Sequence, residues 1–322
     1  MTNKPISQFI PNASELIYGC MGLGGGWNNN PITKADIHQA HTVVEAALEN
    51  NFNYFDHADI YTFGKAEQVF GEVLKTRTDR DKLIIQSKCG IRFEDEHGPK
   101  RYDLSGQWIE HRVNNSLAQL KTDYLDVLIL HRPDPLMCPQ EIASTYKKLK
   151  SQGKVRFLGV SNMQQHQIKA IQQALSEPLI LNQVEMSLLK NDWVEEGIYA
   201  GNAQGANINF TPGLIEFCQH KNIQLQAWGS LSQGLFSGAD ITGAETHIKN
   251  TYQLVQSLAA QYGTSAEAIV LAWLNRHPSN IQPVIGTTNT ARIKACAQVS
   301  KIQLTAAHWY ALYESVKGCE LP

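Results

Sequence analysis

The chain has 322 residues, with 43% hydrophobic and 18% charged side chains and a formal net charge of −2. This balance is typical of a globular enzyme and excludes a disordered chain. The near-neutral charge and the lack of a basic run argue against nucleic acid or an anionic membrane surface as a partner.

Cysteine usage and the N-terminal residues indicate the compartment. The six cysteines are widely scattered and form no C-x-x-C pair, which suits reduced thiols better than a disulfide framework. The first residues lack the charged start and apolar core of a signal peptide. No apolar stretch approaches the roughly 20 residues that span a bilayer. We therefore expect a soluble, cytoplasmic protein with no membrane contact.

Short apolar runs alternate with longer amphipathic segments along the chain. One helical pattern follows Thr33, a suitable N-cap, and another ends at Gly153, a suitable residue for a helix C-terminus. Eight strands with intervening helices predict an α/β fold, a single (β/α)8 TIM barrel formed by residues 1–322 as one domain. A doubly wound open sheet is the competing architecture. The apolar runs that predict strands buried on both faces lie at 16–19, 54–56, 83–87, 127–130, 157–160, 179–183, 225–228 and 283–285.

Two predicted connections, 92–107 and 190–212, are unusually long and polar. Each follows a predicted strand, which places both loops at the C-terminal face of a barrel, where active sites form. Loops of this length are either functional lids or loosely ordered excursions.

Polar side chains suited to catalysis stand at the carboxyl ends of successive predicted strands. Taken singly, each has a simpler structural explanation, such as a helix N-cap for Asp56 or Ser161. In a TIM barrel, however, all these ends converge on one face, so their joint placement favours an active site there. The residues are Asp56, Lys88, His131, Ser161, Asn162, Gln183, Trp228 and Thr287.

Six motifs at these positions carry a family resemblance. In this order and spacing the chain resembles the aldo-keto reductases from about residue 19 to 309, and it is similar to their bacterial YdhF-type members. The motifs are Phe55-Asp56-His57-Ala58-Asp59-Ile60-Tyr61 with Glu67 and Gly71, Ser87-Lys88-Cys89-Gly90, Leu130-His131-Arg132-Pro133-Asp134, Gly159-Val160-Ser161-Asn162, Asn182-Gln183-Val184-Glu185, and Gly286-Thr287 with Arg292.

The resemblance implies an NAD(P)H-dependent oxidoreductase that reduces aldehyde or ketone carbonyls, with Asp56, Tyr61, Lys88 and His131 as its catalytic residues. Carbonyl reduction needs a hydride on carbon and a proton on oxygen, and Tyr61 is the implied proton donor. We expect Lys88 to lower the pKa of this tyrosine from its usual value near 10. Asp56 is the expected partner of the buried lysine, and His131 is expected to hydrogen-bond the carbonyl oxygen.

The resemblance also implies a cofactor that lies extended across the barrel mouth. A Rossmann-type site does not fit Gly24-Gly25-Gly26, because Trp27 stands where the third glycine of G-x-G-x-x-G is needed. Arg292 at a helix start suits the 2′-phosphate of NADPH (NADP+), so NADH is less favoured. Gly286 replaces a frequent lysine, which predicts a modest preference. The implied contacts are Gly22, Ser161, Asn162, Gln183, Trp228, Gly229, Ser230, Leu231, Gly286, Thr287 and Arg292.

Two functions of other classes compete with this interpretation. A metal-dependent barrel hydrolase would show H-x-H at a strand end, whereas His38 and His41 lie on a predicted helix without a third ligand, so we expect no metal. A nucleotide-binding redox sensor or scaffold of the same fold would have lost part of the catalytic tetrad, which we define as Asp56, Tyr61, Lys88 and His131. The expected partner is a small carbonyl substrate, whose identity the sequence does not give. The sequence does not give the oligomeric state either. The aromatic residues Trp27, Phe63, Phe93 and Trp193 fit either an apolar or aromatic pocket wall or simple packing within the loops.

Overall fold

A closed barrel of eight parallel strands forms the centre of the computed structural model, which describes residues 4–322. The first strand pairs with the last, Ile17 opposite Val284, so the sheet has no free edge. The predicted TIM barrel is therefore confirmed, and the open-sheet alternative is wrong. The strands among these residues are β1 Ile17–Gly19, β2 Tyr54–Asp56, β3 Ile84–Cys89, β4 Ile91–Arg92, β5 Arg101–Tyr102, β6 Leu125–Leu130, β7 Val155–Ser161, β8 Leu181–Glu185, β9 Gln224–Trp228 and β10 Gln282–Ile285, with β4 and β5 forming a separate antiparallel hairpin.

Helices surround the barrel and bury their apolar faces against it. As predicted, the first helix begins after Thr33, whose side chain and Asp36 form a capping box. No helix among residues 4–322 is long and apolar enough to cross a membrane. The α-helices are α1 Lys34–Glu49, α2 Lys65–Lys75, α3 Gly106–Leu120, α4 Pro139–Ser151, α5 Gln165–Ala174, α6 Asp192–Ile198, α7 Leu214–His220, α8 Thr246–Tyr262, α9 Ala266–Asn275, α10 Thr290–Ala297 and α11 Ala306–Lys317.

The N-terminal segment closes the bottom of the barrel. A short 3-10 helix, Pro5–Gln8, inserts Ile6, which is buried among the lower barrel side chains. The Ile6 amide donates to Gln224 Oε1 at 3.3 Å, and Lys4 Nζ donates to the Ile281 carbonyl at 2.8 Å. This plug keeps water out of the apolar lower layer of the barrel.

The barrel interior changes from apolar to polar toward its C-terminal end. The lower layer contains Ile17, Ile84 and Val127. Because side chains alternate along a strand, Gln86 and Lys88 follow Ile84 on the inward face of β3. The polar side chains at the top of the barrel therefore lie above a buried apolar layer.

Both long loops contain regular structure. The connection at 92–107 includes the β4–β5 hairpin, in which Asp95 pairs with Arg92 at 2.6 Å and with Arg101 at 3.0 Å. The connection at 190–212 contains α6. Both loops thus contain more regular structure than their composition indicates.

Candidate active site

The buried ammonium of Lys88 is the centre of the site. Its Nζ lies 2.6 and 2.7 Å from the two carboxylate oxygens of Asp56 and 2.9 Å from the Tyr61 hydroxyl. It also donates to the main-chain carbonyl of His57 at 3.0 Å. An ammonium has three N–H bonds, so the contacts to Asp56, Tyr61 and the His57 carbonyl engage all of them. Asp56, Lys88 and Tyr61 are thus brought together as the sequence predicts.

A strained turn carries Tyr61. Thr62, Phe63 and Gly64 follow with φ angles of +48°, +59° and +86°, all in the left-handed region. A β-branched threonine rarely adopts this conformation, so the surroundings must hold it there. The Thr62 hydroxyl donates to the Leu23 carbonyl at 2.9 Å, which ties this turn to the loop after β1.

Burial and charge act in opposite directions on the pKa values of Lys88 and Tyr61. Burial disfavours the charge of Lys88, but Asp56 and Tyr61 together hold its pKa above the usual value. Burial also raises the pKa of Tyr61, and the neighbouring ammonium offsets this rise only in part. Lys88 therefore lowers the pKa of Tyr61 as expected, but desolvation of the phenol outweighs this attraction, so that the net shift is upward.

His131 completes the predicted tetrad across from the tyrosine. Its ring centroid lies 6.2 Å from that of Tyr61 in an edge-to-face arrangement. Burial, and then the charges of Lys88 and Arg132, lower the pKa of His131 far below its usual value. The imidazole is therefore neutral at physiological pH and can donate one N–H bond without carrying a charge.

Glutamine side chains below the tetrad hold the Asp56 carboxylate. Its Oδ1 accepts from Gln86 Nε2 at 2.5 Å and from Gln183 Nε2 at 3.2 Å, and both amides also donate to Gln226 Oε1. Sequence reasoning missed Gln86 and Gln226. Their signal was a polar residue two positions before Lys88 and two before Trp228, hence on the same inward face of an otherwise apolar strand.

A second polar group lies at the ends of β7, β8 and β9. The Ser161 hydroxyl donates to the Gln183 carbonyl at 2.8 Å, and Asn162 Nδ2 donates to Ser161 Oγ at 2.8 Å. Asn162 Oδ1 in turn accepts from the indole of Trp228 at 3.1 Å. The guanidinium of Arg132 lies 5.9 Å from the Trp228 ring centroid. Four predicted cofactor residues therefore form one connected group, in which Gln183 also contacts Asp56.

The loop after β9 faces Arg292 on α10. Gly234 and Gly238 have φ angles of +84° and +118°, and a Cβ at either position would lie 3.7 or 3.4 Å from the guanidinium nitrogens of Arg292. Within residues 4–322, Arg292 has no carboxylate partner. The Ser230 hydroxyl is buried and donates to the Val284 carbonyl at 2.7 Å, so it anchors this loop to β10.

The remaining predicted cofactor contacts lie near Arg292 or along the same rim. Gly229 and Leu231 belong to the loop after β9, and Gly22 packs beside Thr288. Thr287 is held through its carbonyl, which accepts from the Tyr18 hydroxyl at 2.9 Å. A Cβ added to Gly286 would meet no atom within 4 Å. Asn289 was missed: its side chain caps α10 by accepting from the amides of Ala291 and Arg292, and so occupies donors that were expected to meet a phosphate.

Three of the four predicted pocket aromatics form a cluster beside the tyrosine turn. Phe63 lies between Trp27 and Phe93, with ring centroids 5.6 and 5.3 Å away, and Trp27 and Phe63 are exposed. Trp193 instead is buried against Trp273. An apolar surface therefore adjoins Tyr61, but Trp193 packs among the helices.

Comparisons with known proteins identify the family of this chain. A family model described as the aldo/keto reductase family matches residues 15–317. The chain is 34% identical to the 6-dehydroglucose reductase of Agrobacterium fabrum (strain C58), over 96% of each chain. It is 30% identical to the oxidoreductase YdhF of Escherichia coli (strain K12), over 97% of this chain and 96% of that relative.

A solved structure shares the fold. The thermostable aldo-keto reductase Tm1743, crystallised in complex with the inhibitor epalrestat, superposes with a TM-score of 0.74. The alignment covers 94% of this chain and 95% of the other at 22% sequence identity, a level at which the likeness concerns the fold alone.

Proposed function

Because this chain belongs to the aldo/keto reductase family, we propose that it is an NADPH-dependent reductase of aldehydes or ketones with Tyr61 as its proton donor. The family and its oxidoreductase relatives support carbonyl reduction as the general reaction and a nicotinamide as the cofactor. The observation that carries the catalytic assignment is the Lys88 ammonium, held by Asp56 and 2.9 Å from the Tyr61 hydroxyl.

In this proposal Tyr61 gives its proton to the carbonyl oxygen as negative charge develops there. Lys88 stabilises the tyrosinate that remains, since a cation at hydrogen-bond distance favours the ionised phenol. Asp56 keeps the lysine protonated and in place. Because its pKa lies above the ordinary value near 10, the phenol of Tyr61 is protonated at neutral pH, and the donor is available when a substrate binds.

His131 orients the substrate in this scheme. A neutral imidazole can donate a hydrogen bond to the carbonyl oxygen without competing with Tyr61 as the acid. The exposed surface of Trp27 and Phe63 adjoins the same turn and offers an apolar wall for the rest of the substrate.

The residues at the barrel mouth fit a nicotinamide dinucleotide. Arg292 is a cation without a carboxylate partner in the described chain, and Gly234, Gly238 and Gly286 leave room for an extended anionic ligand beside it. Ser161, Asn162 and Gln183 provide amide and hydroxyl groups for the carboxamide, and Trp228 provides a ring surface. When bound, the reduced nicotinamide supplies the hydride for the carbonyl carbon.

The test is a panel of aldehydes, ketones, quinones and sugar aldehydes scored by NADPH oxidation, in parallel with Tyr61→Phe. Sugar aldehydes belong in the panel because one relative is named a 6-dehydroglucose reductase. Turnover that depends on Tyr61 supports the proposal. Tight NADPH binding without turnover of any compound would favour the alternative of a nucleotide-binding sensor or scaffold.

A further inference from the structure

The turn that leads from β2 to Tyr61 is held by a buried ion pair outside the tetrad. Arg112, on α3, donates from Nε to Asp59 Oδ2 at 2.7 Å and from its terminal nitrogen to the Asp59 main-chain carbonyl at 3.1 Å. The Asp59 side chain is fully buried, and that of Arg112 is 19% exposed. One guanidinium therefore forms hydrogen bonds with both the side chain and the main-chain carbonyl of Asp59.

The same turn is bound to β3 on its inner side. The amide of His57 donates to the Gln86 carbonyl at 2.9 Å, and the amide of Asp59 donates to the Lys88 carbonyl at 3.0 Å. The Lys88 ammonium returns a hydrogen bond to the His57 carbonyl at 3.0 Å. A displacement of the turn would therefore disturb both the main chain and the ammonium of Lys88.

We propose that Asp59 and Arg112 are positioning residues, which clamp this turn so that the Tyr61 hydroxyl stays in line with the Lys88 ammonium. The inference rests on the proposed function, because it assigns a role in the same proton transfer. Asp59 and Arg112 act through the turn and not by touching a substrate. Nothing in the tetrad motif by itself assigns them this role.

The charges around Asp59 explain why the clamp depends on Arg112. Asp59 is faced by Arg112 from α3, by Lys88 from β3 and by Glu67 from α2. Its Oδ1 has no hydrogen-bond partner in the described chain. Burial raises the pKa of Asp59 to about 6, and Arg112 opposes this rise. Without the guanidinium, a buried carboxylate would have to take up a proton or move toward water, and either change releases the turn.

Arg112→Gln is the first test. We expect kcat to fall by about tenfold to a hundredfold, because small displacements of a catalytic group have effects of this size. The dissociation constant of NADPH should stay within about twofold of wild type, since no proposed cofactor contact is altered. A looser Lys88–Tyr61 contact raises the pKa of Tyr61 further, so the alkaline limb of the pH–rate profile should move to higher pH. Arg112→Lys should restore part of kcat, because an ammonium can neutralise Asp59 but lacks the planar fork of arginine.

Arg80→Gln is the matched control. The Arg80 side chain is also 19% exposed and contacts a buried carboxylate, Asp126, at 3.1 Å, but this pair lies at the opposite end of the barrel. Arg80→Gln should lower the free energy of unfolding and leave kcat and the pH–rate profile unchanged. If Arg112→Gln behaves in the same way, the Arg112 pair is merely structural and the inference is wrong.

Asp59→Asn keeps the inference testable if Arg112→Gln does not fold. The amide oxygen can still accept from Arg112, but the ionic attraction is lost, so we expect a smaller fall in kcat with the same shift of the alkaline limb. Unchanged kcat and pH profile in this variant would overturn the clamp. Absence of carbonyl reduction in the wild-type protein would instead overturn the proposed function, so the two failures are distinguishable.

Discussion

The Lys88 ammonium lies 2.9 Å from the Tyr61 hydroxyl, yet the pKa of this tyrosine is raised. Burial removes the phenol from water and disfavours its ionised form more than one shared cation can favour it. In the proposed reaction, Tyr61 therefore keeps its proton until a developing oxyanion draws it away.

Tyr61→Phe should abolish most carbonyl reduction and keep NADPH binding. The change removes one hydroxyl and leaves the ring, so Ser161, Asn162 and Trp228 are undisturbed. General acid catalysis contributes about 10²–10⁴-fold, and the loss should appear mainly in kcat. Steady-state kinetics and fluorescence titration with NADPH measure the two quantities. Near-normal turnover of a good substrate by this variant would mean that another group supplies the proton.

Lys88→Met should impair the same step and also destabilise the fold. The change leaves the buried Asp56 carboxylate without its cation, and breaking a buried pair in this way costs about 3–5 kcal/mol. The hydrogen bonds from Gln86 and Gln183 to Asp56 should keep the loss of unfolding free energy near the lower end of this range. Urea unfolding measures it. Adding Asp56→Asn should recover part of the stability and none of the activity; no recovery would show that the stability loss has another cause.

Arg292→Ala should reduce the preference for NADPH over NADH. A charged hydrogen bond is worth about 1.5–3 kcal/mol, or roughly tenfold to a hundredfold in affinity, and the missing lysine at Gly286 argues for the lower value. Dissociation constants for both cofactors should be measured in each protein. Lys294→Ala, on the same helix, is the control and should discriminate like wild type. If Arg292→Ala prefers NADPH over NADH as strongly as wild type does, other residues bind the 2′-phosphate.

Glu67→Gln should stabilise the protein at alkaline pH. Burial raises the pKa of Glu67 from 4.5 to about 7, with Ser87 donating to one carboxylate oxygen. The folded state therefore holds this proton more tightly than the unfolded state. The resulting stability is fully present below pH 4.5 and is lost as pH rises through about 7. At 1.36 kcal/mol for each pKa unit, the effect is at most about 3 kcal/mol.

Unfolding free energies of wild type and Glu67→Gln at pH 5 and pH 8 test this prediction. The free energy of unfolding of Glu67→Gln relative to wild type should increase from pH 5 to pH 8. Glu72→Gln is the control on the same helix, because Lys121 lowers the pKa of Glu72 and its replacement should bring no gain at pH 8. An equal pH dependence in wild type and Glu67→Gln would mean that the buried carboxyl stays ionised.

Much of the fold follows from the sequence because its determinants are local. Eight short apolar runs between amphipathic segments predict buried parallel strands, and the ends of such strands meet at one face of a barrel. Asp56, Lys88 and His131 could therefore be placed together from their positions at strand ends, and the resemblance that their motifs carry is confirmed by the family match. The helix start after Thr33 and the helix end at Gly153 also follow from the sequence, because a helix cap depends on neighbouring residues.

Only the tertiary structure decided which side chains meet and how strongly water is excluded. Gln86 and Gln226 are 140 positions apart, and closure of the barrel brings their amides together beneath Asp56. Arg112 reaches Asp59 from a helix 53 positions away. The direction of the Tyr61 pKa also depends on burial, which the sequence around a tyrosine does not report. Periodicity and caps are properties of adjacent residues, whereas contacts across the barrel and the desolvation of a charge arise when the whole chain packs.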